Sequence, residues 1–292
     1  MLTPSPTSHS YFSQRMRLHY LDWGNAEAAN LLLVHGTHDH CHNWDWLAQS
    51  LCERYHIVAP DLRGHGDSGW AIGGSYGHVD YVYDIAQLVH QAQLTPSTII
   101  AHSMGGTLAC QYAGIYPENV DRMVIIEGVG LFRYWERMQN MTMLGRVQNW
   151  IENTRNLAGR TPRRYPSVED AYQRMQQTNP HLSPERARHL TVHGSGQHED
   201  GTFTWKFDNY THARPPYDFT DDDVIELWER IECPVLFINA KEGYPHRIGQ
   251  DGTLKHFRHG EEVLVENAGH WVHHDQFERV MGVIEEFLTR GR

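Results

Sequence analysis

Ile99-Ile100-Ala101-His102-Ser103-Met104-Gly105-Gly106 carries an apolar strand into a small-x-Ser-x-Gly turn and then into a helical pattern from Gly105 to Tyr116. A serine in this setting sits on a strained strand-to-helix turn, and the residues two before and two after it must be small because they pack on adjoining backbone. The turn lifts the hydroxyl clear of the chain, and the helix N-terminus adds partial positive charge where an oxyanion would form. Ser103 is therefore read as a nucleophile, in the strand and helix context that separates such a short motif from chance. Ala101 stands where glycine is commonest, a sterically mild change.

Outward from this turn, short apolar runs alternate with longer amphipathic segments. Strands are expected at Leu31 to Val34, His56 to Ala59, Thr98 to Ile100 and Met123 to Ile126, with helices at Trp44 to Arg54 and Tyr81 to Gln93. Near-continuous apolar strands joined through helices indicate an α/β fold with a mainly parallel sheet buried on both faces. After Glu127 the sequence turns to helical segments rich in Arg, Gln, Asn and aromatics, with capping signals at Ser167 with Asp170 and at Thr220 with Asp223. The sheet pattern resumes at Val235 to Asn239 and Glu262 to Val265, and a helix from about Asp275 to Thr289 closes the chain. The expected organisation is thus a core of residues 1–128 and 231–292. Residues 129–230 are expected as a helical cap, inserted after the sixth strand and over the carboxyl edge of the sheet, where such folds place their ligands.

Two further stretches belong with Ser103. Leu31 to Val34 runs into His35-Gly36-Thr37, the usual place for a second oxyanion-hole amide, so the hole is assigned to the N–H groups of Thr37 and Met104. Asn267-Ala268-Gly269-His270-Trp271 follows the last strand, and among the 22 histidines its place and its order behind Ser103 single out His270 as general base. Asp61 to Ser68 has the Gly and Asp spacing of a tight structural loop and receives no catalytic role. His35, His38, Asp39, His40 and His42 crowd one loop, but their spacing is not that of a metallohydrolase and no metal is assigned. His38, Trp135 and Trp271 are expected to line the substrate pocket. Phe132, Tyr134, Trp150 and Trp205 serve either as pocket wall or as cap core.

Composition bounds the partners. A chain of 292 residues with 40% hydrophobic content buries a sizeable core, and a formal charge of −11 argues against nucleic acid and anionic membranes. The Ser- and Pro-containing N-terminus has no apolar signal core and no later run approaches a membrane span, so a cytoplasmic protein is expected. Cys41, Cys52, Cys110 and Cys233 are spread as reduced, buried thiols would be. No cofactor is called for, and a monomer or homodimer is expected.

His35-Gly36, Asp61 to Ser68, the Ser103 turn and Gly269-His270 together resemble the α/β-hydrolase fold superfamily, in the branch of epoxide hydrolases, haloalkane dehalogenases and serine-hydrolase-like proteins. Ala240-Lys241-Glu242-Gly243-Tyr244 and Asn179-Pro180-His181-Leu182-Ser183 look most like the serine-hydrolase-like group, whose substrates are poorly defined. The first two families use an aspartate nucleophile, so serine at 103 argues against both of their activities. The resemblance implies an acid to orient His270. Many members carry it after the strand here at Val235 to Asn239, where the matching position falls on Gly243 and leaves Glu242 one residue early. Glu127 sits where one group of dehalogenases carries a catalytic glutamate, and it is favoured over Glu242.

The expected reaction is cleavage of a carboxylic ester of small or medium size through an acyl-enzyme. Lactonase, thioesterase and C–C bond hydrolase chemistry share the same parts, and a non-catalytic ligand-binding homologue is the alternative of another class.

Overall fold

Four short apolar runs, each flanked by turn residues, have no stable place except in a sheet covered on both faces. In the computed structural model, which describes residues 5–73, 76–131, 141–213, 215–250 and 252–290, they form its centre. Strands β1 (Thr7–Ser13), β2 (Met16–Asp22), β3 (Ala29–Val34), β4 (Tyr55–Pro60), β5 (Ser97–His102), β6 (Val120–Ile126), β9 (Val235–Ala240) and β10 (Gly260–Val265) make one eight-stranded sheet. Its order is β1-β2-β4-β3-β5-β6-β9-β10, with β1, β2 and β4 paired antiparallel and every other neighbour parallel. All residues of β4, β5 and β9 are buried.

The helices of the core are α1 (Asp45–Leu51), α2 (His78–Gln91), α3 (Met104–Ile115), and, at the C-terminus, α8 (Val272–Asp275) and α9 (Phe277–Thr289). Between β6 and β9 lie α4 (Met143–Ala158), α5 (Val168–Thr178), α6 (Pro184–Gly194) and α7 (Asp221–Glu229). The Ser167 and Thr220 side chains cap α5 and α7 by accepting from Asp170 N and Asp223 N. This stretch also holds β7 (Ser195–Gln197) paired antiparallel with β8 (Phe203–Trp205), a hairpin the helical reading omits. Each of its strands is only three residues long, too short for periodicity to register.

The N-terminal hairpin departs further from expectation. β1 is exposed at its first four positions, so an edge strand of Thr, Ser and His shows no apolar run. Two apolar layers sandwich the sheet. One gathers Leu32, Val34, Ile99, Leu108 and Trp228, and the other Leu31, Leu33, Trp44, Ile100 and Ile284. Among the described residues, no helix is long and apolar enough to cross a membrane.

Candidate active site

Ser103 stands between β5 and α3 with φ 53° and ψ −122°. Such a conformation costs a non-glycine residue on the order of 1–3 kcal/mol, and the packing around it over-determines the turn. A Cβ on Gly105 would lie 2.4 Å from His35 O and 2.5 Å from Val34 O, while one on Gly36 would lie 2.9 Å from Ser103 Cβ. The small residues thus let the serine turn press against the end of β3. Ser103 N donates to Ile126 O (2.9 Å), which ties the turn to β6 as well.

The Ser103 hydroxyl lies 2.8 Å from His270 Nε2, and His270 Nδ1 lies 3.2 Å from Glu127 Oε2. With the Nδ1 proton donated to the carboxylate, Nε2 is free to accept the serine proton. His102 Nε2 donates to His270 O (2.9 Å), fixing the backbone that carries the imidazole. Burial, followed by the neighbouring His270, lowers the His102 pKa well below the usual imidazole range, so His102 is a neutral spacer.

Glu127 directly follows β6, with φ 50°, and is fully buried. Its Oε1 accepts from Ala240 N (2.5 Å) and from Arg247 Nη1 (2.6 Å), and Arg247 Nη1 also donates to Ala240 O. Two donors hold one carboxylate oxygen while the other faces His270. Gly243 lies against this group: a Cβ there would be 2.0 Å from Glu127 Oε2. Glu242, by contrast, is half exposed and pairs with His181 at 3.5 Å, away from His270.

Thr37 lies in the turn that follows β3 and borders the same cavity as Ser103, and its Oγ1 contacts Met104 Sδ at 3.4 Å. Met104 is the first residue of α3, where a backbone N–H lies too early in the helix to find an acceptor one turn back. Two cavities open onto this centre. One, of about 310 Å³, is walled by Ser103, Met104, Leu131, Val224, Trp228 and His270. The other, of about 470 Å³, reaches Tyr165, Met175, Trp205, Phe207 and Trp271 beneath the segment between β6 and β9. Thr37, His38, Tyr244 and His270 border both. His38 stacks on Phe207 at 4.2 Å, and burial, then His212 and His65, lowers its pKa to about 3.

Trp271 and Trp205 wall the second cavity; Trp135, Phe132 and Tyr134 lie outside the described residues, and Trp150 lines neither cavity. Arg247, Gly243, Tyr244 and His102 are site residues that the sequence reading did not select. The Asp61 loop is structural: Asp61 accepts from Cys41 N, Asp67 N and His19 Nδ1, and a Cβ on Gly66 would meet its carboxylate at 2.2 Å.

Comparison with known proteins agrees with this architecture. Residues 29–277 match the model of the alpha/beta hydrolase fold family. A serine hydrolase-like protein of Danio rerio is 27% identical over 91% of this chain and 83% of its own. An esterase of Mycobacterium tuberculosis is 24% identical over 91% of this chain and 85% of its own. Among solved structures, a thioesterase domain from the curacin biosynthetic pathway superposes with a TM-score of 0.81 at 20% identity, covering 96% of this chain and 99% of that one. With a sheet of this order, a serine turn after β5 and a family match across most of its length, the chain belongs to the alpha/beta hydrolase fold family.

Proposed function

We propose that this hydrolase cleaves small or medium-sized carboxylic esters through an acyl-enzyme. The observation that carries the reading is the run of contacts from the Ser103 hydroxyl through His270 to Glu127, at 2.8 Å and 3.2 Å, on the wall of a cavity of about 310 Å³. His270 Nε2 takes the Ser103 proton as Oγ attacks the ester carbonyl, and the tetrahedral oxyanion is held by the Thr37 and Met104 N–H groups. The alcohol leaves with the proton carried by His270. Water, deprotonated by the same nitrogen, then attacks the acyl-enzyme and releases the acid. Glu127 holds the imidazole tautomer and offsets the imidazolium charge. Residues 129–230 act as a cap that walls the alcohol or acyl side of the substrate.

The test is covalent labelling by a fluorophosphonate probe together with turnover of a panel of p-nitrophenyl esters, thioesters and lactones. Labelling and turnover that both vanish in Ser103→Ala support the reading. A folded wild-type protein that takes no label and turns over no member of the panel is a binding homologue, and the reading falls.

A further inference from the structure

Outside the catalytic centre, four side chains from two separate parts of the chain converge on one another. His42 precedes α1 and Asp45 begins it, whereas His189 and His193 lie one helical turn apart on α6. His42 Nδ1 and His189 Nε2 both reach Asp45 Oδ2, each at 2.9 Å. The His42 and His193 rings stack at 3.7 Å between centroids, and the His189 ring lies tilted against His193 at 4.6 Å. One nitrogen or oxygen from each of the four lies within 4.8 Å of all the others.

We propose that this cluster is a binding site for a divalent zinc-class ion, ligated by His42, Asp45, His189 and His193, which clamps the segment between β6 and β9 onto the core. Three imidazoles and one carboxylate are the donor set of a borderline ion, whereas calcium and magnesium require oxygen ligands. Bonds of about 2.0–2.1 Å put the corners of a tetrahedron about 3.3 Å apart, so the two 2.9 Å contacts need slight opening and the longer spans need side-chain rotation. Asp45 Oδ1 is buried and has no hydrogen-bond partner, a carboxylate oxygen that a cation would satisfy. The ion would sit beside the strap that already joins the two parts, where His40 Nε2 donates to Leu190 O (3.0 Å) and Arg186 Nη1 to His274 O (2.6 Å).

The experiment is calorimetric titration of the chelator-treated full-length protein with zinc chloride, paired with thermal unfolding in the same solutions. Wild type is expected to bind one zinc per chain at micromolar concentration or tighter and to melt higher once saturated. His193→Ala and His42→Ala are expected to weaken that binding at least about 100-fold and to abolish the rise in Tm, since loss of a ligand costs more than the 10–100-fold of an outer-shell change. His90→Ala, on the exposed end of α2, keeps both. His42 and His193 are both part-buried, and either variant decides the matter if the other fails to fold. Absence of a micromolar site in wild type, or a site that survives His193→Ala unchanged, overturns the proposal.

Discussion

Glu127→Gln and Glu242→Gln separate two carboxylates by what each touches. Glu127 faces His270 and is buried, so Glu127→Gln is expected to lower kcat on the order of 10²–10⁴-fold by leaving the imidazole without its acceptor. Glu242 stands in solvent against His181, and Glu242→Gln is expected to change kcat by no more than about twofold. Equal losses in the two variants would refute the assignment of roles. Gly243→Ala probes the same carboxylate from the other side. Its new methyl would fall 2.0 Å from Glu127 Oε2 and displace it, with an expected loss in kcat of at least about tenfold and little change in KM. A variant as active as wild type would mean that Glu127 tolerates being moved. Ser103 and His270 stand out in the sequence because each follows a strand within a short, distinctive turn. Arg247 and Tyr244 do not, since their importance comes from Glu127 and His270, partners brought near only by the parallel pairing of β6 with β9.

Among the elements, α3 and α7 pack tightly at Gly114, where a Cβ would lie 2.2 Å from Leu227 O. Gly114→Ala forces the helices apart and is expected to cost about 1–3 kcal/mol of stability despite the better helix propensity of alanine. A denaturant midpoint at or above that of wild type would contradict so tight a crossing. The neighbouring Trp228 is fully buried between α3 and Phe257, and Trp228→Ala is expected to cost about 3–5 kcal/mol through the cavity it leaves. The central strands were legible because burial on both faces writes itself as unbroken apolar runs. β1 and β2 leave no such trace in the sequence because an edge hairpin with one wet side has no unbroken apolar run, and β7 and β8 leave none because three residues hold no period. At Glu127 the composition changes from apolar runs to segments rich in Arg, Gln, Asn and aromatics. What those segments touch was not legible, since His189, Arg186 and Phe207 reach the core through contacts far apart in sequence.

The molecule as a whole carries an unusual load of buried imidazoles. Burial, ahead of every other cause, lowers the pKa of His35 to about 3 and of His40 and His65 to about 4, and pushes His102, His273 and His274 well down. Each is neutral when folded, but takes a proton near pH 6.5 when unfolded. Stability is therefore undiminished by them above about pH 6.5 and falls as pH drops from there toward their folded values, by up to 1.4 kcal/mol per pH unit for each group. Buried Asp39, its carboxyl held high by desolvation, works against this trend, yet it is outnumbered. Urea midpoints measured from pH 7 to pH 4.5 should correspond to uptake of more than one proton on unfolding, and a slope below that would show the histidines to be hydrated. All four thiols are also enclosed: Cys41, Cys52, Cys110 and Cys233 are buried, and burial raises each pKa, that of Cys233 to about 12. An engineered cysteine on the exposed face of α6 would then be the one reactive sulfur in the native chain, and a single fluorophore could be attached there without first removing any native cysteine.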